Sequence, residues 1–191
     1  MQNRGINIVL LVLFLFPAIA LGQEVRGLEA GADYTHLSGD QGYNGFGATA
    51  GYRFSPHVTL FGDGDFLWSN STLHAFGVTS NFAHISGNEQ NFLGGGRFHI
   101  LSWKPAIKQR QLLPFAELLF GVSRLSQTVT SAQAGTASAS STAFTWVLGG
   151  GVDYTLAPKW IARGSLDLAR THFGGSGQSR YRVGLGFAHV F

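Results

Sequence analysis

The sequence predicts an all-β fold, a transmembrane eight-stranded antiparallel up-and-down β-barrel. Three observations predict it: eight segments in which apolar and polar side chains alternate, aromatic residues near both ends of these segments, and little charge. Only 12% of the 191 residues are charged, while 45% are hydrophobic and 27 are glycine. Alternation with a period of two indicates a strand with two different faces. Small residues suit the narrow interior of such a barrel.

Turn and loop signals separate the eight predicted strands, which are 25–37, 44–54, 58–69, 90–100, 111–125, 143–156, 160–172 and 179–191. Short reversals are predicted at 55–57 and 157–159, and a connection at 101–110. Long polar loops are predicted at 70–89 and 126–142. We expect 126–142 to lack order of its own, because a Ser/Thr/Ala/Gly segment buries little apolar surface. Short turns at one end and longer loops at the other are typical of membrane barrels.

The last predicted strand shows the alternation most clearly. One face is apolar or aromatic (Tyr181, Val183, Leu185, Phe187, His189 and Phe191), and the other is small or basic. Phe191 ends the strand where a transmembrane barrel places an interfacial aromatic side chain. This ending resembles the C-terminal signal of bacterial outer-membrane barrels, and the whole pattern is similar to the small OmpA/OmpX-like barrel family. The resemblance implies a Gram-negative outer-membrane location, no enzymatic activity, and an assembly signal in Tyr181, Phe187 and Phe191 that engages the barrel assembly machinery.

Aromatic residues fall into two groups along the predicted strands. One group lies at the short-turn end: Phe54, Phe98, Tyr154, Trp160, Phe187 and Phe191. The other lies towards the loop end: Tyr34, Phe46, Phe66, Trp68, Phe92, Phe144, Trp146 and Tyr181. Two aromatic belts with small or aliphatic residues between them are typical of a bilayer-spanning barrel. We therefore expect contact with outer-membrane lipid and lipopolysaccharide.

Charged residues fall almost entirely on the other face of the strands. Arg124 and Arg170, at loop-proximal ends, are the only charges on the apolar face. An eight-stranded barrel has room for side chains inside, where each charge requires a partner. The sequence therefore predicts an interior charge network of Glu29, Asp33, Arg53, Asp63, Asp65, Arg97, Glu117, Asp153, Arg163, Asp167 and Arg182.

The first residues predict a cleaved signal peptide at 1–22, leaving a single barrel domain at 23–191. Arg4 precedes an apolar run from Ile8 to Phe16, and small residues follow Pro17. This run is shorter than a spanning helix requires. The sequence contains no cysteine, which excludes disulfides and thiolate metal sites. The small excess of basic residues gives no support to nucleic-acid binding, and we expect a monomer without cofactor or metal.

Two local motifs have some of the residues of a metal site or of a catalytic site, but the resemblance is weak in both. Asp63-Gly64-Asp65 lacks the further ligands of a calcium loop, and structural pairing of both carboxylates is favoured. His84, Ser86 and Glu89 weakly resemble the His-x-Ser pair of outer-membrane lipid A deacylases, with nucleophile, base and acid nominally present. We predict a structural or surface-interaction role carried by extracellular loops. The alternatives are a narrow porin-like channel for small solutes and a lipid A-modifying enzyme.

Overall fold

The computed structural model describes residues 27–39, 42–74, 82–100, 112–131, 135–173 and 176–191. Eight antiparallel strands form a closed barrel in which each strand pairs with the next and β8 pairs with β1. They are β1 (Gly27–Leu37), β2 (Tyr43–Ser55), β3 (Val58–His74), β4 (Phe82–His99), β5 (Leu112–Ser131), β6 (Gly135–Ala157), β7 (Trp160–Phe173) and β8 (Ser176–Val190). This confirms the predicted fold class. Within these ranges, no helix is long and apolar enough to cross a membrane.

The pairing register fixes the tilt of the strands. A path across paired neighbours from Phe98 returns to β4 at Asn88, ten residues away, through Ala116, Gly150, Leu166, Val183, His36, Asn44 and Trp68. With eight strands and ordinary strand spacings, a stagger of ten residues corresponds to a tilt of about 40°. The interior of a barrel with this geometry is narrow enough for side chains from opposite walls to meet.

The alternation read from the sequence separates the inside of the barrel from the outside. On β8, Tyr181, Leu185 and Phe187 are 60–63% exposed, whereas Arg180 and Arg182 are 4–5% exposed. Hydrophobic side chains therefore cover the outer wall, while charged groups line the interior. Such an inverted arrangement is expected where the outer surface meets lipid rather than water.

The two predicted long loops are wrong in extent. β3 continues to His74 and β4 begins at Phe82, so the ladder occupies most of 70–89. β5 continues to Ser131 and β6 begins at Gly135, so strands also occupy most of 126–142. Main-chain pairing orders both segments, and cross-strand hydroxyl contacts add to it between β5 and β6. The predicted signal peptide and the connection 101–110 lie outside the described residues.

Inward-facing glycines permit close contact between neighbouring strands. A Cβ atom added to Gly95 would overlap the Leu118 carbonyl oxygen and lie 2.9 Å from Leu119 Cα. The adjacent Gly94 faces outward, and a Cβ there would lie 3.9 Å from the nearest atom outside its chain neighbours, the Phe61 oxygen. Two consecutive glycines on β4 thus differ only in the wall that they face.

We expect Gly95→Ala to lower the free energy of unfolding by about 1–3 kcal/mol, because the backbone of β5 must move to admit the methyl group. Gly94→Ala is the matched control and should be neutral or slightly stabilising, since it restricts the unfolded chain without a clash. Urea unfolding of the refolded protein in detergent measures both. Equal losses for the two variants would contradict the assignment of faces.

Candidate functional site

Glu29 is the centre of a charge network at the short-turn end of the interior. Its carboxylate accepts hydrogen bonds from Arg53 at 2.6 Å and Arg163 at 2.8 Å, and Arg97 approaches to 3.5 Å. Because the glutamate is 5% exposed, three guanidinium groups surround a carboxylate that has almost no access to water. β1, β2, β4 and β7 are joined through this one side chain.

Two further acids complete this end of the network. Glu117 accepts hydrogen bonds from Arg97 at 2.7 and 2.9 Å, and Asp153 accepts two from Arg163 at 2.7 and 2.9 Å. The ring of His99 lies 3.0 Å from Asp153. Arg97 also lies over the Phe61 and Phe115 rings, 4.3 and 4.5 Å from their centroids. Paired charges and cation–π contacts therefore fill the barrel here.

A second group of acids surrounds Arg182 in the middle of the barrel. Arg182 donates to Asp63 at 2.5 Å and lies 3.6 Å from Asp65. Asp33 accepts a hydrogen bond from the Thr35 hydroxyl at 2.8 Å, and Asp167 accepts one from Ser165 at 3.2 Å. Neither of these two takes part in a described ion pair. The Asp63-Gly64-Asp65 motif thus faces an arginine, and the described residues contain no group of three or more acids and histidines arranged to hold a metal.

One interior ion pair lies outside the charge network that the sequence predicts. Arg180 donates two hydrogen bonds of 2.6 Å to Glu89, and the two residues are 5% and 0% exposed. Glu89 is the last residue of the predicted loop 70–89, whereas the structure places it on β4. Continuing the alternation of that strand backwards would have placed Glu89 on the same face as Asn91 and Arg97.

This pair also separates the members of the proposed catalytic trio. β4 includes all three positions, and Glu89 is buried inside the barrel while His84 is exposed on the opposite face. Ser86 has the same strand parity as His84 and therefore faces outward as well. Glu89 is bound to Arg180 and cannot orient His84. The assignment of this trio to a loop was wrong, and its proposed geometry does not form.

Apolar residues close the interior between the charged groups. Leu37, Leu119 and Val147 are at most 1% exposed, and they belong to a buried cluster with Tyr43, Phe61, Leu67, Leu93 and Ala169. A cavity of about 20 Å³ lies beside Asp33, Asp63 and Arg182, and one of about 10 Å³ lies beside Glu89 and Arg180. The larger has room for about one water molecule. In the described part of the barrel, this packing gives no support to a solute channel.

The predicted aromatic belts lie on the outer wall. At the loop end, Phe46, Phe66, Phe92 and Phe144 are 51–61% exposed. At the short-turn end, Trp160, Phe187 and Phe191 are 50–65% exposed, and His189 packs between Trp160 and Phe191. Tyr181, Phe187 and Phe191 all face outward, which is compatible with recognition by another protein. Their role as an assembly signal stays a prediction.

Strands β3 to β6 continue beyond the rest of the barrel at the loop end. Pairing of β2 with β3 ends at Asn44 and Trp68, while pairing of β3 with β4 continues to His74. Pairing of β6 with β7 begins at Thr145, while pairing of β5 with β6 starts at Gly135. We call residues 69–74, 82–88, 126–131 and 135–144 the protruding sheet. Its outer strands, 69–74 and 135–144, each have a paired neighbour on one side only within the described chain.

Comparison with protein families gives a match over residues 8–189 to the family described as "Outer membrane protein beta-barrel domain". No curated protein matches the sequence. Among solved structures, the attachment invasion locus protein Ail of Yersinia pestis is 14% identical, with a TM-score of 0.52 over 88% of this chain and 100% of that chain. Neisserial surface protein A is 12% identical, with a TM-score of 0.53 over 87% and 97%.

The outer membrane protein OprG of Pseudomonas aeruginosa is 11% identical, with a TM-score of 0.52 over 89% of this chain and 98% of that chain. At identities of 11–14%, these three likenesses show a shared fold and transfer no binding partner or activity. The match to the family model extends over almost the entire sequence and includes all eight strands except the last residue of β8.

We expect Arg163→Ala to lower the free energy of unfolding by about 3–5 kcal/mol, because Glu29 and Asp153 remain buried and lose a shared partner. Arg170→Ala is the control, since Arg170 is exposed on the outer wall, and it should change stability by no more than about 0.5 kcal/mol. Denaturant unfolding in a neutral detergent measures both. A stable Arg163→Ala barrel that conducts ions in planar bilayers would instead support the channel alternative.

Lysine substitutions test whether the exposed apolar band faces lipid. Phe120 and Leu148 are 50% and 52% exposed on neighbouring strands, and we expect Lys at either position to cost about 2–4 kcal/mol if it lies near the bilayer midplane. Ala137 is exposed on the protruding sheet, where Lys should cost almost nothing. Unfolding in lipid vesicles gives these differences. Equal costs at all three positions would contradict a lipid-facing band.

Proposed function

The chain belongs to the outer membrane protein β-barrel family, and we propose that it acts as a surface-interaction protein whose protruding sheet binds an extended segment of another polypeptide. The observation that carries the proposal is the edge of β6, which has no paired strand on one side among the residues that the structure describes. Residues 135–144 pair with β5 on one side, and their pairing with β7 begins only at Thr145. A partner strand can add to such an edge through main-chain hydrogen bonds.

The composition of this edge favours strand addition. Proteins usually protect exposed edges with lysine, proline or bulges. The segment 135–144 reads G-T-A-S-A-S-S-T-A-F and contains no charge and no proline. The described register irregularities lie near the short turns, at Arg53/Ser55 and Thr155/Ala157. The edge therefore has few of the features that prevent another strand from pairing with it.

Small side chains along the edge suit a partner of low charge. Residues 135–142 are all exposed, and their side chains are those of Gly, Thr, Ala and Ser. Thr128 and Ser138 lie 3.1 Å apart across the hairpin, and Thr130 and Thr136 lie 3.3 Å apart, so the edge is held by the central strand β5. When a partner strand adds to an edge, main-chain hydrogen bonds supply the affinity. The shallow spaces between the small side chains of β6 have room for β-branched side chains of the partner.

A second copy in the same membrane fits this edge poorly. Two copies share one orientation, so a two-fold axis along the membrane normal relates their edges. With strands tilted by about 40°, the two β6 edges would cross at about 80° and could not form a continuous ladder. We therefore assign the edge to an extended segment of a different polypeptide.

The interior supports a structural role for the barrel itself. The buried charge pairs and the apolar cluster fill the lumen, so the barrel holds the protruding sheet above the membrane and gives no support to solute transport. We also propose that the protein is not an enzyme. His84 and Glu89 face opposite sides of β4, and this separation removes the strongest catalytic candidate.

Selection from a displayed library of ten-residue peptides on the refolded protein provides a probe for the edge. We expect selected peptides to protect the backbone amides of 135–144 from hydrogen exchange. Ser138→Lys should weaken their binding about tenfold or more, because a charge on an edge strand opposes pairing. Thr128→Lys is the matched control, since Thr128 lies directly opposite Ser138 on the central strand β5.

Replacement of residues 127–141 by a short turn should abolish peptide binding, because it removes the edge. The barrel should still fold, because β6 and β7 pair only from Thr145 onwards. Folding is followed by the change in gel mobility on heating. Undiminished peptide binding to the shortened protein, or equal effects of the two lysine variants, would contradict strand addition at β6.

A further inference from the structure

The distribution of charge across the barrel wall is one-sided. All eight acidic side chains in the described ranges point into the barrel: Glu29, Asp33, Asp63, Asp65, Glu89, Glu117, Asp153 and Asp167. Five arginines accompany them inside. Arg124 and Arg170 are exposed on the outer wall. Neither takes part in a described ion pair, and the barrel wall separates both from the acids of the described chain.

Both outward arginines lie at the same edge of the apolar band. Arg124 pairs with Gln90 and Thr142 in the ladder, and Arg170 pairs with Trp146 and Ser179. They therefore flank β6 on either side, beside the aromatic belt at the loop end. Their partners on β6, Thr142 and Trp146, are four residues apart along the strand, and β5 and β7 are two strand spacings apart. Together these separations place the Cα atoms of the two arginines about 16 Å apart. Two long side chains can approach a single large headgroup across this distance.

The backbone of β8 leaves room for the guanidinium of Arg170. A Cβ atom added to Gly177 would lie 3.0 Å from Arg170 Nε and 3.1 Å from Nη2, so the guanidinium packs over the glycine. This contact directs the cation along the barrel wall rather than into water. A guanidinium at the edge of an apolar band is stabilised by an anion that accepts two parallel hydrogen bonds. Phosphate has this geometry.

We propose that Arg124 and Arg170 form a binding site on the outer wall for a phosphorylated lipid headgroup of the outer leaflet. The site lies on the wall of β5 and β7 beside β6, and it does not depend on strand addition at the β6 edge. The phosphate supplies the negative charge that the outer wall lacks, and the neighbouring aromatic belt contacts the acyl chains. The two arginines thus position the barrel in the leaflet by recognising one class of lipid.

Native mass spectrometry of the refolded protein in dodecyl maltoside tests the site. The probes are bisphosphorylated lipid A and the same lipid with its phosphates removed. We expect wild-type protein to bind the phosphorylated form about fivefold more tightly or better, as charge-assisted hydrogen bonds predict. R124Q and R170Q should each reduce this preference, and the double variant should remove it. Arg→Lys variants should retain part of it, because the charge remains without the bidentate geometry.

K159N is the matched control, because Lys159 is an exposed cation in the turn at the opposite end of the barrel. Its φ of 70° is tolerated by asparagine. Unchanged lipid preference in K159N supports a local site, and an equal loss there would assign the effect to net charge and overturn the proposal. Displacement of the lipid by millimolar inorganic phosphate would show that the arginines bind a free anion, and this result would overturn the proposal. Equal binding of the phosphorylated and dephosphorylated lipids to the wild-type protein would also overturn it.

Discussion

Burial of charge inside a narrow barrel is the constraint on which the rest of the structure depends. Glu29 is held by Arg53 and Arg163 and approached by Arg97, so residues from four strands must reach one point. Isolated charges are costly in such an interior, and good pairing geometry is required to offset their desolvation. The register of the strands, the glycines between them and the closed ring together bring these side chains to that point.

Glycine and charge are distributed in a complementary way on the inner wall. A Cβ atom at Gly47 would lie 2.5 Å from Asp65 and 2.7 Å from Asp33, and one at Gly149 would overlap Asp167. Carboxylates of the middle group therefore occupy space that a larger neighbour would fill. The high glycine content and the low charge content of the sequence thus describe one interior, since each charged side chain requires neighbouring positions that stay small.

The sequence predicts the barrel and its two walls because period-two alternation determines which side chains share a face. It predicts the ends of the protruding strands poorly. Residues 135–142 show no apolar periodicity, and main-chain pairing with β5 orders them. Glu89 falls in a predicted loop for a related reason, since Gly87 and Asn88 are residue types typical of loops, although both lie on β4. Which arginine pairs with which acid depends on the ten-residue stagger, a property of the closed ring that no single segment encodes.

The contact between Glu29 and Arg163 joins residues 134 positions apart, on the first described strand and the seventh. Such a contact requires a long segment of chain to be closed, and the entropy of that closure opposes folding before the contact can stabilise it. A sheet of the first four strands would contain Glu29, Arg53 and Arg97 without Arg163 or Glu117. The buried charges of such a partial sheet are therefore incompletely paired until β5 supplies Glu117 and β7 supplies Arg163.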